Sequence, residues 1–427
     1  MRRRADLWYN PKNMKRHLIG IGGVGMSALA TALLRLGDEV TGADRTLGTP
    51  NVRFLESLGI RVFPDDGSGI DAATDEVIVS TAIEETNAGL KKAKNLGIPV
   101  THRAKALART LAGYRLVAVV GTCGKSTVTA MLGHVLTECG LDPMCVNGAN
   151  VLGWEGAVRF GKGVYAVAEV DESDKSLVAF KPYAAVVTNA SADHYSKEEM
   201  DEVFDAFIKD CEGPVIDGRT GLEGLGGLVV PIPGRHNVAN AILAVRMAVA
   251  LGVPERDAIK AMASFRGVER RLQRVGSFKV ELNESGESRE VTVYDDYAHN
   301  PEKIKAMWTT LAEKHPAGIC VIWRPHGYGP LRKLMDPLAE MFNETIRPQD
   351  KLLLLPVYDA GGTAFRGVNS PMLAERLPFG KVELVKDLDA AFNWCLVHPG
   401  EYEALVTCGA RDPGLPALAR RLAEIVV

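Results

Sequence analysis

No two cysteines in this 427-residue chain stand at C-x-x-C spacing, although the chain has seven of them. An odd number at irregular spacing argues against a disulfide framework and against a zinc ribbon. It fits a reducing compartment. No apolar run approaches the roughly 18 residues that a membrane span needs. The opening MRRRADLWYN is basic but continues into polar residues, so it lacks the apolar core of a signal peptide. A cytoplasmic protein without membrane insertion is the expectation. A charge excess is missing too: 50 Lys and Arg against 53 Asp and Glu leave −3, which gives no reason to expect nucleic acid as a partner. Low-complexity tracts and short-period repeats are absent.

What remains is ordinary globular composition, 46% hydrophobic and 24% charged, with 43 glycines that point to many tight turns. The length is too great for one core. Strand–helix alternation opens with a strand over 17–21, glycines, a helix over 26–36 and a strand over 39–42. Strands over 61–63 and 77–80 and a helix over 86–96 follow. Such alternation predicts a parallel sheet with helical crossovers. The pattern restarts near Ala112-Gly113, with a strand over 116–120, a helix over 127–137, strands over 163–170 and 184–189, and a helix over 236–251. The glycine-rich 213–227 reads as loop. A third unit starts near Gln273, with strands over 291–294, 319–323, 351–355 and 404–407. The fold class is therefore α/β in three domains, 1–112, 113–272 and 273–427.

Two loops carry phosphate chemistry. Gly20-x-Gly22-Gly23-x-Gly25 follows a strand and opens a helix, where backbone N–H groups and the helix dipole can hold a diphosphate. Asp44 ends the next strand, where a carboxylate can accept from a ribose. NAD is the obvious reading, but the motif does not choose between NAD and another nucleotide diphosphate. The second loop, GTCGKST at 121–127, has Val119 where the usual phosphate-loop spacing wants glycine. Its context is nonetheless right: strand, glycine turn, Lys-Ser, helix. In that setting Lys125 would meet the β- and γ-phosphates and the Ser126 hydroxyl would face Mg²⁺. Glu169 ends a strand and precedes Asp171, Glu172 and Asp174, an acidic run suited to a divalent metal with oxygen ligands. TNASADH (188–194) adds Asn189, Asp193 and His194 at another strand end.

Read in order, GTCGKST, EVDESD, TNASADH, GRHNVANA and DDYAHNP resemble the Mur ligases, and the resemblance spans essentially the whole chain. The forms IGIGGVGMS and EVDESDKS look most like the family's alanine-adding members. The resemblance implies three domains: an N-terminal Rossmann-like UDP-binding domain, a central P-loop-type ATPase domain and a C-terminal Rossmann-like ligase domain. It also implies an ATP-dependent ligase joining an amino acid, expected to be L-alanine, to the carboxylate of UDP-N-acetylmuramate. It reassigns the first loop, so that Gly20, Gly22, Gly23, Gly25, Met26, Ser27 and Asp44 hold the UDP-sugar, not NAD. It places Gly121, Thr122, Gly124, Lys125, Ser126 and Thr127 on ATP. Ser126, Glu169 and His194 would hold Mg²⁺, two ions being expected, and Lys125, Glu169 and His194 form the catalytic set. His236, Asn237 and Asn240 match adenine-side contacts, Arg271 an ATP contact at an interdomain hinge and Asp296 a ribose contact. His299 and His326 would line the substrate cleft. Other expectations are a cytoplasmic bacterial enzyme of peptidoglycan synthesis, monomeric or a homodimer.

The chain departs from the family pattern at Cys123 and Asn300, where the alanine-adding members usually have histidine, and at Gly327, where a larger and often basic residue is usual. The interval from His194 to Gly234 looks short, and what it lacks would be strands of the central sheet. A relative attaching a preformed peptide usually carries DEYD where this chain has DESD at 171–174. A binding module without turnover is a further alternative. A dehydrogenase would leave Lys125 and its companions unexplained.

Overall fold

The computed structural model describes residues 13–171, 176–190, 197–282, 287–359, 366–378, 380–409 and 411–425. Of the sequence expectations, Glu172, Asp174, Asp193 and His194 lie outside these described residues. The first sheet and its helices are β1 (Lys15–Ile19), α1 (Val24–Arg35), β2 (Glu39–Asp44), α2 (Pro50–Ser57), β3 (Arg61–Pro64), β4 (Glu76–Val79), α3 (Ala88–Asn95), β5 (Val100–His102) and α4 (Arg103–Leu111). Its order is β3-β2-β1-β4-β5 and every pairing is parallel. The chain winds outward from β1 to β3, then returns to β4, so the carboxyl ends of β1 and β4 flank a switch point where α/β sheets bind ligands.

The second sheet comprises β6 (Arg115–Val120), followed by α5 (Lys125–Glu138), then β7 (Met144–Val146), β8 (Val158–Arg159), β9 (Tyr165–Glu169), β10 (Ala184–Val187), α6 (Lys197–Ile208) and β11 (Val215–Asp217). The order is β11-β10-β6-β9-β7-β8, parallel except for β7 against β8. Central β6 is buried from Leu116 to Val120, which is why it reads as an unbroken apolar run rather than an alternating one. Helices α7 (Arg235–Ala250) and α8 (Glu255–Met262) follow. The stretch 213–227 is not all loop, because β11 lies inside it. Val215–Asp217 pairs with Ala185–Val187, and Arg219 anchors its end through Asp201, Asp205 and Asp217. Three residues are too few for periodicity to reveal, and pairing with β10 supplies what local sequence does not.

The third sheet holds β12 (Gln273–Glu281), β13 (Ser288–Asp296), α9 (Pro301–Lys314), β14 (Ile319–Arg324), α10 (Tyr328–Thr345), β15 (Lys351–Leu354), α11 (Ser370–Ala374), β16 (Val382–Leu384), α12 (Leu388–Val397), β17 (Ala404–Gly409) and α13 (Gly414–Ala423). Its order is β12-β13-β17-β14-β15-β16, with only β12 and β13 antiparallel.

The chain divides into two compact units, Met1–Pro231 with Asn237–Val268, and Ile232–His236 with Glu269–Val427. In the first, one apolar core runs through both sheets, joining Leu18, Leu29 and Leu33 to Ala118, Val120, Val146 and Val187. In the second, Tyr294, Trp308, Trp323 and Phe342 pack on one face of the sheet, and Phe278, Val291, Cys320 and Ile322 on the other. Among the described residues no helix is long and apolar enough to cross a membrane.

Candidate functional site

The phosphate-loop candidate begins where β6 ends. Gly121 has φ 129° and Gly124 has φ 85°, so the two turns that bend the chain from strand to helix fall on the residue type that tolerates them. Space demands glycine as well. A Cβ on Gly121 would lie 2.1 Å from Thr188 Oγ1, and one on Gly124 would lie 2.6 Å from Asn240 Oδ1. Gly124 caps α5, whose first turn has neither a side-chain cap nor an acidic residue. Its leading N–H groups and its dipole therefore favour an anion.

The loop is gripped from β10. Thr188 Oγ1 donates to the Cys123 carbonyl at 2.6 Å and Asn189 Nδ2 donates to the same oxygen at 2.9 Å. Asn189 Oδ1 accepts from Cys123 N at 3.0 Å and the Asn189 carbonyl from Thr122 N at 3.2 Å. Lys125 Nζ donates to the Gly121 carbonyl at 2.7 Å and stands 3.9 Å from Asp171 Oδ1. The sequence marked Asn189 as a strand-end residue but gave no hint of this clamp, since 66 positions separate it from Cys123.

Glu169 ends β9, in register with Val119 of β6, and so stands beside the loop. Its Oε2 accepts from Gly148 N at 2.8 Å. Gly148 N also donates to Asn147 Oδ1 at 2.9 Å, and Asn147 Nδ2 donates to the Ser126 carbonyl at 3.1 Å. Ser126, Thr127, Asn147, Asn237 and Asn240 are all buried. Among the described residues no group of three or more His, Cys, Asp or Glu stands together as a metal cage. The hard oxygens of Ser126 and Glu169 nonetheless suit Mg²⁺, which is commonly bound by one or two protein oxygens plus substrate phosphates.

In the first sheet, Gly20 (φ 76°) turns the chain out of β1. Gly20 N and Ile21 N both donate to the Ala43 carbonyl, at 2.8 and 3.1 Å. Asp44 holds the loop through Oδ2, which accepts from Gly22 N at 2.8 Å, while its Oδ1 accepts from Thr46 N at 3.0 Å. Asn51 Nδ2 donates to the Gly22 carbonyl at 2.9 Å. Gly23 caps α1 without a side-chain bond, and no acid occupies the first turn. A Cβ on Gly25 would meet Arg103 Nη1 at 3.0 Å, a cation next to the glycine loop that sequence spacing did not suggest. Met26 and Ser27 are buried, and the Ser27 hydroxyl donates to the Val24 carbonyl.

The second compact unit collects the remaining candidates. Arg270 and Leu272 adopt φ 57° and 45°, conformations L-residues rarely hold without help. Asp296 supplies it, Oδ2 accepting from Leu272 N at 2.6 Å and Oδ1 from Ala298 N at 2.7 Å. Neighbouring Asp295 accepts from Arg270 Nε at 3.2 Å, yet burial pushes its carboxyl up to about 6. Burial also raises Asp296 and lowers His236, against the pull of the Asp296 charge. The Arg270 and Arg271 guanidinium groups lie 4.9 and 5.6 Å from the centre of the Tyr297 ring. His299 and His326 stack at 4.7 Å with 27° between planes. Burial, then the His299 charge, brings His326 down to about 4, so at neutral pH its ring carries no charge. Two of the departures have local explanations. Asn300 caps α9 by accepting from Lys303 N, and Gly327 starts α10 at φ 153°, where a side chain would be strained.

Comparisons with known proteins bear on this arrangement. A family model described as "Mur ligase family, catalytic domain" matches residues 15–115, and one described as "Mur ligase, glutamate ligase domain" matches 281–411. The UDP-N-acetylmuramate–L-alanine ligase of Rhizobium etli is 32% identical over 472 aligned positions, covering 95% of this chain and 96% of the relative. The chain belongs to the Mur ligase family.

The ligase of the same name from Gloeobacter violaceus is 31% identical, with 95% of each protein covered. Among solved Mur ligase structures, the UDP-N-acetylmuramate–alanine ligase of Thermotoga maritima has a TM-score of 0.77 and 25% identity, covering 96% of this chain and 98% of that one. A murein peptide ligase from Psychrobacter arcticus has a TM-score of 0.65 at 20% identity, with 97% and 100% covered, and shares the fold. The 472 positions aligned to the Rhizobium etli protein exceed the 427 residues of this chain, so this Mur ligase lacks segments that its relative has.

Proposed function

We propose that this chain is an ATP-dependent UDP-N-acetylmuramate–L-alanine ligase of peptidoglycan precursor synthesis, acting in the bacterial cytoplasm. The observation that carries the reading is similarity along nearly the whole length to ligases of that name, at 32% identity. The clamped phosphate loop supports it. One sheet falls in each of the proposed domains, 1–112, 113–272 and 273–427.

The reaction has two steps. A carboxylate oxygen of UDP-N-acetylmuramate attacks the γ-phosphorus of ATP, the bond to the β-phosphate oxygen breaks, and ADP leaves an acyl phosphate. The amino nitrogen of L-alanine then attacks the acyl carbon, gives up a proton, and phosphate departs as the amide forms. This chain's contribution is positioning and charge. Gly121 and Thr122 line the ATP phosphates, the N–H groups from Gly124 to Thr127 at the start of α5 cradle them, and Lys125 answers the charge that builds on the transferring group. Ser126 and Glu169, with His194, are the residues that would hold Mg²⁺, expected as two ions; the metal supplies neutralisation of phosphate charge when bound. His236, Asn237, Asn240, Arg271 and Asp296 serve the nucleoside side of ATP. Gly20, Gly22, Gly23, Gly25, Met26, Ser27 and Asp44 serve the UDP-sugar, and His299 and His326 are substrate contacts of the C-terminal domain.

The test is phosphate release from ATP in the presence of UDP-N-acetylmuramate and each amino acid in turn. Release that depends on the sugar nucleotide and is fastest with L-alanine is the expected result. Release with another acceptor alone would reassign the substrate, and ATP binding without release under any pairing would leave a binding module.

A further inference from the structure

The three hydrogen bonds around Asn147 and Gly148 form a chain that no motif marks. Asn147 follows β7 and is 2% exposed. One side of its amide, Nδ2, is tied to the Ser126 carbonyl in the first turn of α5. The other side, Oδ1, accepts from Gly148 N, and that same N–H also points at Glu169 Oε2. Asn147 N donates to the Ala157 carbonyl at 2.9 Å, so the backbone at this residue is pinned as well. Ser126 of α5 and Glu169 of β9 stand 43 positions apart in sequence, and this bridge joins them through one side chain and one peptide group.

We propose that Asn147 and Gly148 are positioning residues for metal-assisted nucleotide binding, fixing the Glu169 carboxylate relative to the start of α5. The inference rests on the assignment of Ser126 and Glu169 to Mg²⁺. A carboxylate that meets a small cation with strict geometry works best when its rotamer is held by a neighbour. Gly148 does this with a backbone N–H, and Asn147 aims that N–H. Glycine is required at 148 because a Cβ there would stand 2.5 Å from Glu169 Oε2 and 2.7 Å from Oε1, displacing the carboxylate. Asparagine suits 147 because the position needs a donor on one side and an acceptor on the other. Aspartate would lose the donor to Ser126 and place a second negative charge beside Glu169.

Equilibrium binding of ADP and of a non-hydrolysable ATP analogue, titrated across Mg²⁺ concentration, tests the proposal on the full chain. In the unaltered protein Mg²⁺ tightens nucleotide binding. In Asn147→Ala the Mg²⁺ concentration giving half of that tightening rises about tenfold or more. Affinity without Mg²⁺ and UDP binding stay near those of the unaltered chain. Gly148→Ala, which keeps Asn147, produces the same shift and carries the test if Asn147→Ala does not fold. An unchanged Mg²⁺ dependence in the variants, or an equal loss of affinity with and without the metal, overturns the positioning role. An unaltered chain whose nucleotide affinity ignores Mg²⁺ would instead sink the Ser126 and Glu169 assignment, and this inference with it.

Discussion

At the scale of single residues, the short Gly-to-Gly span of GTCGKST works because another strand closes it. The loop has no glycine at 119 and turns at 121 and 124 instead. Val119 stays in β6 and pairs with both Val186 and Glu169. Thr188 and Asn189 grip the loop through backbone groups of residues 122 and 123. The bonds of this clamp run to backbone groups, which any residue at 123 supplies. Cys123→His should accordingly keep phosphate release within about threefold of the unaltered chain, the range of substitutions that break no buried contact. A loss of tenfold or more would give the thiol a specific role. None of this grip was legible in the sequence. GKS and its flanking strand announced phosphate, but the partners of the loop lie more than 60 positions downstream.

Length helped an element to be legible without guaranteeing it, since nine-residue β12, antiparallel to β13, was not expected from the sequence. Helix α7, with sixteen residues, was expected to within a residue at each end, whereas three-residue β11, β7 and β16 were invisible. Strand β1 carries a feature that periodicity passes over. His17 sits in its middle, 1% exposed, with Nδ1 2.9 Å from Thr41 Oγ1 and Nε2 without a hydrogen-bond partner among the described residues. Burial lowers its pKa to about 4; the nearby Asp65 charge opposes that shift and Lys92 adds to it. Unfolded, the ring takes a proton near 6.5, so below that value the unfolded chain binds more protons than the folded one. The stability that a neutral His17 allows is present above pH 6.5 and is lost as pH falls from 6.5 towards 4. On moving from pH 7 to pH 5 the melting temperature of the unaltered chain should drop a few degrees more than that of His17→Gln. Equal drops would show that this ring titrates freely in the folded state.

On the scale of the whole molecule, the two glycine loops leave separate sheets, and the proposed division of ligands between them is one that variants should separate. A Cβ at 22 would come within 2.9 Å of Asp44 Oδ2 and 3.0 Å of Val52 Cγ2, disturbing the turn that Asp44 holds. Gly22→Ala should raise the KM for UDP-N-acetylmuramate about tenfold, a loss of about 1.4 kcal/mol, and leave ATP affinity unaltered. Lys125→Ala should abolish phosphate release yet leave UDP binding intact. Measuring both ligands on both variants checks the division. Loss of both affinities in either variant would mean that the loops do not act separately.

The sequence by itself determined the α/β class, the three strand–helix units and the family. Each of these is written locally, in glycines at a strand-to-helix turn, a lysine after them, and apolar runs whose period matches the element they form. Only the tertiary structure decided how those local signals are supported. It brought Asn189 to Cys123, Asn240 to Gly124 and Arg103 to Gly25. It turned one oxygen of Asp44 onto Gly22 N and one of Asp296 onto Leu272 N, and it linked Ser126 to Glu169 through Asn147. Such pairings follow from strand order and register, which place residues dozens of positions apart at neighbouring strand ends. Turn chemistry has no access to that information, because register depends on the packing of the whole sheet.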